Sequence, residues 1–235
     1  VVRASLVTTV ADAVLDDIVA GVVPIGSELP SEAALAAQHD VSRVTMREAL
    51  KRLQGLGVLD VRRGKRGVVA PTSAWTDLEP ILRVTAFGAD PGLTELQLIE
   101  VREMIESGAA ALAAARCSAK DFAELERMLR RMRTAHEESD VGAFVEADIA
   151  FHDVILRATG NVFVGVVLAP LSRVMREKRA QTSAVEAIQA HAIQQHTRVL
   201  AALRSGDAEA SRTAMSAHMR QTADDFRAHV LPSLH

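Results

Sequence analysis

Apolar residues recur at helical spacing almost from the start of the chain. Val10, Val14, Leu15, Ile18 and Val19 mark one face of a helix over about 8–20, and Gly21 supplies its stop. Residues 22–29 contain Pro24 and Gly26 and read as a turn, after which Pro30 and Ser31 open a second helix to about residue 39, with Ser31 as its N-cap. After Asp40 and Val41, Ser42 caps a third helix whose apolar face is Met46, Ala49, Leu50 and Leu53. Short β-like runs at 58–61 and 68–70 flank Arg-Arg-Gly-Lys-Arg-Gly, which predicts a hairpin with a basic tip. Residues 71–92, with Pro71 near one end and Asp90-Pro91-Gly92 at the other, read as a linker holding a short helical element around 77–87. Six helical stretches then follow, at about 94–116, 118–138, 140–159, 161–182, 185–205 and 207–230. Ser118-x-x-Asp121 is a capping box, and Gly160-Asn161 and Gly206-Asp207 each pair a helix stop with the next N-cap. The connections are short, so neighbouring helices run antiparallel as a bundle.

The expected fold class is therefore mainly α. An N-terminal winged helix-turn-helix occupies 1–70 and a C-terminal all-α helical bundle occupies 93–235. Composition agrees: 49% of the 235 residues are hydrophobic but only 3% aromatic, with no Tyr and one Trp. Strand-rich folds draw on β-branched and aromatic residues with regular turn signals, and that pattern is missing over most of the chain. The longest apolar run, 162–169, falls far short of the roughly 20 residues that span a bilayer, so no membrane partner is expected. Val-Val-Arg-Ala-Ser at the start shows no secretory pattern, and the single Cys117 cannot make an internal disulfide. A cytoplasmic protein, with Cys117 as a small apolar residue near a helix end, is the resulting expectation.

Charge changes the picture, because the formal net charge of −3 is an average over unlike segments. Residues 1–40 carry −5, residues 41–70 carry +6 and the remainder carries −4. A compact basic block inside an acidic chain marks an anion-binding face. Arg43, Arg47 and Lys51 are spaced by four and share one side of the third helix. Three helices and a basic hairpin make a winged helix-turn-helix, whose third helix enters the major groove of double-stranded DNA. Arg43 and Arg47 leave its first turns, and a guanidinium can bond guanine O6 and N7 together. Ser42 and Thr45 suit phosphate or base edges, while Arg63, Gly64, Lys65 and Arg66 on the wing suit phosphate or the minor groove.

Leu29-Pro30-Ser31-Glu32, the run from Val41 to Leu50, Leu53, Gly57 and the Arg63-Gly64 wing resemble the DNA-binding domain of the GntR family of bacterial transcription regulators. The chain departs from that pattern twice. Ala33 stands where some relatives carry a DNA-contacting Arg, and Val44 replaces the usual Thr or Pro, which turns that contact toward a thymine methyl. The operator sequence is therefore not carried over.

The bundle offers histidines. Asp148 and His152 are four residues apart and leave one helix face together. His196 lies on the fifth bundle helix and His218 on the last; His191 is rotated about 140° from His196, and His229 sits about 16 Å along the axis from His218. One carboxylate and three imidazoles from three helices suit a divalent transition metal, the alternative being a polar cluster without an ion. The residues 98–106, Phe144–Asn161 with Asp148 and Phe151-His152, the His196 to Asp207 segment, and Ala217-His218-Met219 resemble the FCD ligand-binding domain of the FadR-like branch of GntR regulators. That resemblance implies a metal held by Asp148, His152, His196 and His218, zinc first, with nickel or manganese as alternatives. Relatives that bind acyl-CoA lack this set. It also implies that Arg102 faces the pocket and pairs with a ligand carboxylate; a surface ion pair with Glu106 is the alternative. Asn161 either contacts ligand or caps its helix. The function expected is a homodimeric, operator-binding regulator, a repressor, controlled by a small organic or sugar acid. A regulator that senses the metal itself, and a metal-dependent hydrolase, remain as alternatives. No separate general base is evident for the hydrolase.

Overall fold

The computed structural model describes residues 5–61, 66–86 and 91–234. The chain forms two compact units, Val1–Pro91 and Gly92–His235. In the first, α1 (Leu6–Val19), α2 (Glu32–Gln38) and α3 (Arg43–Gly55) precede a two-stranded antiparallel hairpin of β1 (Leu59–Asp60) and β2 (Val68–Val69). The serine caps form as the sequence predicts: Ser31 Oγ accepts from the Ala34 amide and Ser42 Oγ from the Thr45 amide. Val14, Leu35, Met46, Ala49, Leu53 and Val69 are buried together in one core. Burying them ties the apolar stripe of each helix to its neighbours and leaves the opposite side of α3 to solvent.

The segment read from sequence as a turn does more than turn. The Gly26 and Leu29 amides donate to Val69 and Gly67 carbonyls, and the Val69 amide donates to the Ser27 carbonyl, so a third extended segment flanks β2. Pro24 and Gly26 hid it, because the pairing needs only a few residues between two turns. Within the segment read as a linker, a 3-10 turn (Thr72–Ala74) leads to α4 (Leu78–Ala86). Arg83 of α4 pairs with Asp12 and Asp16 of α1, so this helix packs on the first unit.

Gly57 closes α3 with a φ of +74°, and a Cβ placed there would stand 2.4 Å from the Ala74 carbonyl oxygen. Any side chain is both strained and blocked by backbone. Gly57→Ala is expected to cost more than about 2 kcal/mol in urea unfolding, with the loss confined to the first unit. An unchanged midpoint would contradict the packing described.

The second unit is the predicted bundle: α5 (Pro91–Ala114), α6 (Ala119–Glu137), α7 (Val141–Ala158), α8 (Val162–Ser183), α9 (Glu186–Ser205) and α10 (Ala208–Asp225). Its core gathers Leu125, Met132, Phe144, Phe151, Leu203 and Met219, an aliphatic and methionine-rich interior with two phenylalanines. Both arms of the Ser118–Asp121 capping box form, and Gly160 and Gly206 take φ values of +62° and +71° at the two helix stops. The last helix is shorter than the pattern predicts. At Phe226 it widens into a π turn (Phe226–Val230) followed by a 3-10 turn (Leu231–Leu234), which buries Phe226 and Val230 against Ile99 and Ile188. His229 is therefore outside α10, and its α-helical register with His218 does not hold. Among the described residues no helix is long and apolar enough to cross a membrane.

Candidate metal centre and nucleic-acid interface

α3 presents Arg43, Val44, Arg47 and Lys51 to solvent, because Met46, Ala49 and Leu53 commit its other side to the core. Ser42 Oγ lies 2.8 Å from Thr45 Oγ1, so these two hydroxyls already bond each other at the helix N-terminus. Arg47 Nε donates to Glu32 Oε2 at 3.1 Å, and Lys51 Nζ to Glu48 Oε1 at 2.9 Å. Both pairs are largely exposed, so each adds little stability and is displaced readily by a phosphate or a base. A groove of about 490 Å³ runs along this side, with Glu32, Arg47, Lys51, Gln54 and Arg66 among its lining residues. Arg66 is exposed; Arg63, Gly64 and Lys65 lie outside the described residues.

The second cluster is buried. α7 projects Asp148 and His152, α9 projects His196 and α10 projects His218, and one ligand atom from each falls within 4.8 Å of all the others. His196 Nε2 is 3.1 Å from Asp148 Oδ1, His152 Nε2 is 3.8 Å from the same oxygen, and His218 Nε2 is 3.3 Å from His152 Nε2. Phe151 packs edge-on to His196, with ring centroids 4.5 Å apart, and closes one side. His191, by contrast, turns away to bond Asp225 at 2.9 Å.

Tautomers decide what these atoms can do. His196 Nδ1 donates to the Ala192 carbonyl at 2.6 Å, which leaves Nε2 with a lone pair; that atom is buried and has no hydrogen-bond partner. It faces a carboxylate oxygen, and two acceptors at 3.1 Å need a proton or a cation between them. Metal–nitrogen bonds of about 2.0–2.1 Å place adjacent donors roughly 3.0–3.4 Å apart. The spacings of 3.1 and 3.3 Å fall in that range and the 3.8 Å spacing lies outside it, while one carboxylate beside three buried imidazoles is a donor set that suits a divalent ion.

Two neighbours frame the cluster. Glu106 of α5 puts Oε2 2.5 Å from His152 Nδ1, close without the alignment of a hydrogen bond, and accepts from Arg102 Nε at 2.7 Å through Oε1. Arg179 of α8 donates from Nη1 to Asp148 Oδ2 at 2.5 Å. Burial alone would raise both carboxyls, yet Arg102 and then His152 hold Glu106 well below the usual range, and Arg179, His196 and His152 do the same for Asp148. Burial pushes His152 down despite Glu106, and pushes His218 well down with the added repulsion of His196 and His152. The imidazoles of His152 and His218 are thus poised neutral, the form that binds metal.

That poise has a pH consequence. The folded values of His152 and His218 lie below the ordinary 6.5, so the unfolded chain takes up protons first as pH falls. Metal-free protein is expected to be fully stable above about pH 7.5. It then loses up to about 1.4 kcal/mol per pH unit per histidine as pH drops through 6.5. The depressed carboxylates act only near pH 4 and below, outside this window. Urea unfolding in chelator at pH 7.5 and 5.5 measures the loss, and equal stabilities would contradict two buried neutral imidazoles.

Arg102 makes the ion pair with Glu106, but buried inside the unit rather than at its surface, with Arg102 only 4% exposed. Asn161 Oδ1 accepts from the Phe163 amide and so caps α8. Its side chain also lines a cavity of about 650 Å³ with Ile149, Asp153, Arg157 and Arg176, and none of the four clustered donors lines that cavity. The sequence reading gave Glu106 no role at the cluster and missed Arg179. The Arg102-x-x-x-Glu106 spacing was the available signal for the first, whereas Arg179 sits in an Arg-Glu-Lys-Arg run that looks like a solvated face. Burial and the nearby Asp121 carboxylate push the Cys117 thiol up to about 11, which makes it unreactive at neutral pH.

A winged helix followed by a helical unit with an enclosed polar cluster is the architecture of a DNA-binding protein that carries a second, separate domain. Residues 6–69 match the gntR family of bacterial regulatory proteins, and residues 97–221 match the FCD domain. The chain belongs to the gntR family and carries an FCD domain in its second unit. It is 30% identical over 194 residues to the galactonate operon transcriptional repressor of Escherichia coli K12, covering 80% of this chain and 82% of that one. It is also 30% identical over 176 residues to the Glc operon transcriptional activator of the same strain, covering 74% and 68%. Among solved structures, Lar of Listeria monocytogenes superposes with a TM-score of 0.64 at 17% identity, over 96% of this chain and 99% of that one. McbR/YncC of E. coli gives 0.54 at 21%, over 99% of each, and at these identities the likeness is one of fold. The families and curated relatives named here are regulators of transcription, not enzymes.

Proposed function

We propose that the protein is a cytoplasmic repressor that binds a palindromic operator as a homodimer and is controlled by a small organic or sugar acid. Asp148, His152, His196 and His218 would hold a divalent metal, zinc first, and the acid would bind there beside Arg102. The observation that carries the reading is the gathering of Asp148, His152, His196 and His218, one ligand atom of each within 4.8 Å of the others, with His196 Nε2 bare and buried. A bound divalent cation supplies a Lewis-acidic centre to which a carboxylate oxygen can bind. The chain's own residues do the rest. Ala192 fixes the tautomer of His196, Glu106 crowds Nδ1 of His152 and so leaves Nε2 inward, and Arg179 aims Asp148. Arg43 and Arg47 read base edges, Ser42 and Thr45 contact the helix-proximal phosphates, Val44 touches a thymine methyl, and Arg63, Gly64, Lys65 and Arg66 of the wing approach an adjacent groove. Asn161 caps the start of α8 and, as an effector contact, would serve only a ligand that also reaches the cavity beside it. Acid binding shifts operator affinity only as far as it favours one of two arrangements of the paired winged helices.

That the curated relatives include both a repressor and an activator leaves the sign of control to experiment. Metal analysis of purified protein, followed by calorimetry with galactonate and L-lactate before and after chelation, tests the sensing site. Acid binding that survives complete metal removal would sink the metal-bridged reading. Operator affinity that tracks zinc with no acid present would favour direct metal sensing.

A further inference from the structure

Arg179 has a donor left over. Its side chain is 12% exposed, Nη1 is committed to Asp148 Oδ2, and its Nε–H is enclosed with no acceptor. Arg102 differs, because its Nε is already taken by Glu106. A buried cationic N–H without an acceptor has lost its hydration and received nothing in exchange, which points to a partner that arrives from outside the chain. Asp148 shows what that partner looks like. Its carboxylate spans the gap between the imidazoles and Arg179, with Oδ1 3.1 Å from His196 Nε2 and Oδ2 2.5 Å from Arg179 Nη1. A second carboxylate beside it would span the same gap.

Resting on the acid-sensing reading above, we propose that Arg179 is an effector-binding residue of this site: its Nε–H takes one oxygen of the acid's carboxylate while the other oxygen faces the metal position. The ligand class is a small carboxylate with an unhindered carboxyl end. One guanidinium then grips both carboxylates, that of Asp148 and that of the acid, which links acid binding to the geometry of a metal ligand.

The test uses full-length protein saturated with zinc and two probes, galactonate and L-lactate, measured by calorimetry on wild type, Arg179→Lys and Arg179→Gln. Lysine keeps the charge but lacks the fork of N–H donors. Zinc affinity, from competition with a chelator, is expected to fall about tenfold, as for a partner one bond removed from the metal. Acid affinity at saturating zinc is expected to fall roughly 10- to 150-fold in both variants. Acid affinity within threefold of wild type overturns the proposal. So does a loss of acid affinity that extra zinc fully restores, since Arg179 would then act only through Asp148. A wild-type protein that binds neither probe, or binds them equally without zinc, defeats the acid-and-metal reading itself and this proposal with it.

Discussion

If the cluster holds zinc as proposed, replacing His196 with alanine is expected to lower zinc affinity by roughly a hundred- to a thousandfold and to remove most of the thermal stabilisation that zinc would confer. The size follows from the number of donors. Structural zinc sites bind with about 10–16 kcal/mol shared among four ligands, so one ligand is worth about 2.5–4 kcal/mol, or roughly two to three decades in affinity. At zinc a thousandfold above its dissociation constant, wild type gains about 4 kcal/mol, which corresponds to roughly 10 °C for a chain of this size. The informative quantity is the shift on adding zinc, not the absolute melting temperature. His196 is fully buried, and its loss leaves a void that destabilises the metal-free fold as well. A zinc-induced shift equal to that of wild type would remove His196 from the site.

Arg43→Ala and Arg47→Ala are each expected to weaken specific operator binding about 10- to 100-fold, the worth of one bidentate base contact. The two lie one helical turn apart, so the double variant should depart from simple additivity. Binding to unrelated duplex should weaken less, and evenly across sequences. Arg47 carries an extra signature, because Glu32 holds its Nε and so leaves the outer guanidinium edge presented. Band-shift titrations with a selected operator and a scrambled duplex, at two salt concentrations, separate the two terms. Specific binding left intact in both variants would show that α3 does not read the bases.

Much of this architecture was legible in local chemistry. Ser31, Ser42 and Ser118 announced helix starts because an N-cap is a property of a few adjacent residues, and Gly160 and Gly206 announced stops because their backbones turn left-handed. Asp148 and His152 could be paired in advance, since i and i+4 share a face in any helix. What escaped depended on distant partners. The extended pairing of Gly26–Leu29 exists only because β2 lies beside it, and the π turn at Phe226 exists because Ile99 and Ile188 offer a place to bury it. Arg179 carries no periodic mark, and its meaning comes entirely from a carboxylate 31 residues away. Arg102 was readable as to partner but not as to depth, because spacing says who can meet and burial says in what medium.

The bond from His196 to Ala192 stays within a single helix, one turn long. The hydrogen bond that orients that ring is therefore available as soon as α9 forms, whereas His152 depends on Glu106 from another helix. In kinetic terms, a metal entering the cluster would find His196 already oriented by its own helix, with Asp148 3.1 Å away, whereas His152 would still depend on Glu106. Metal capture would then begin at α9, and its rate would survive changes at Glu106 that slow its completion.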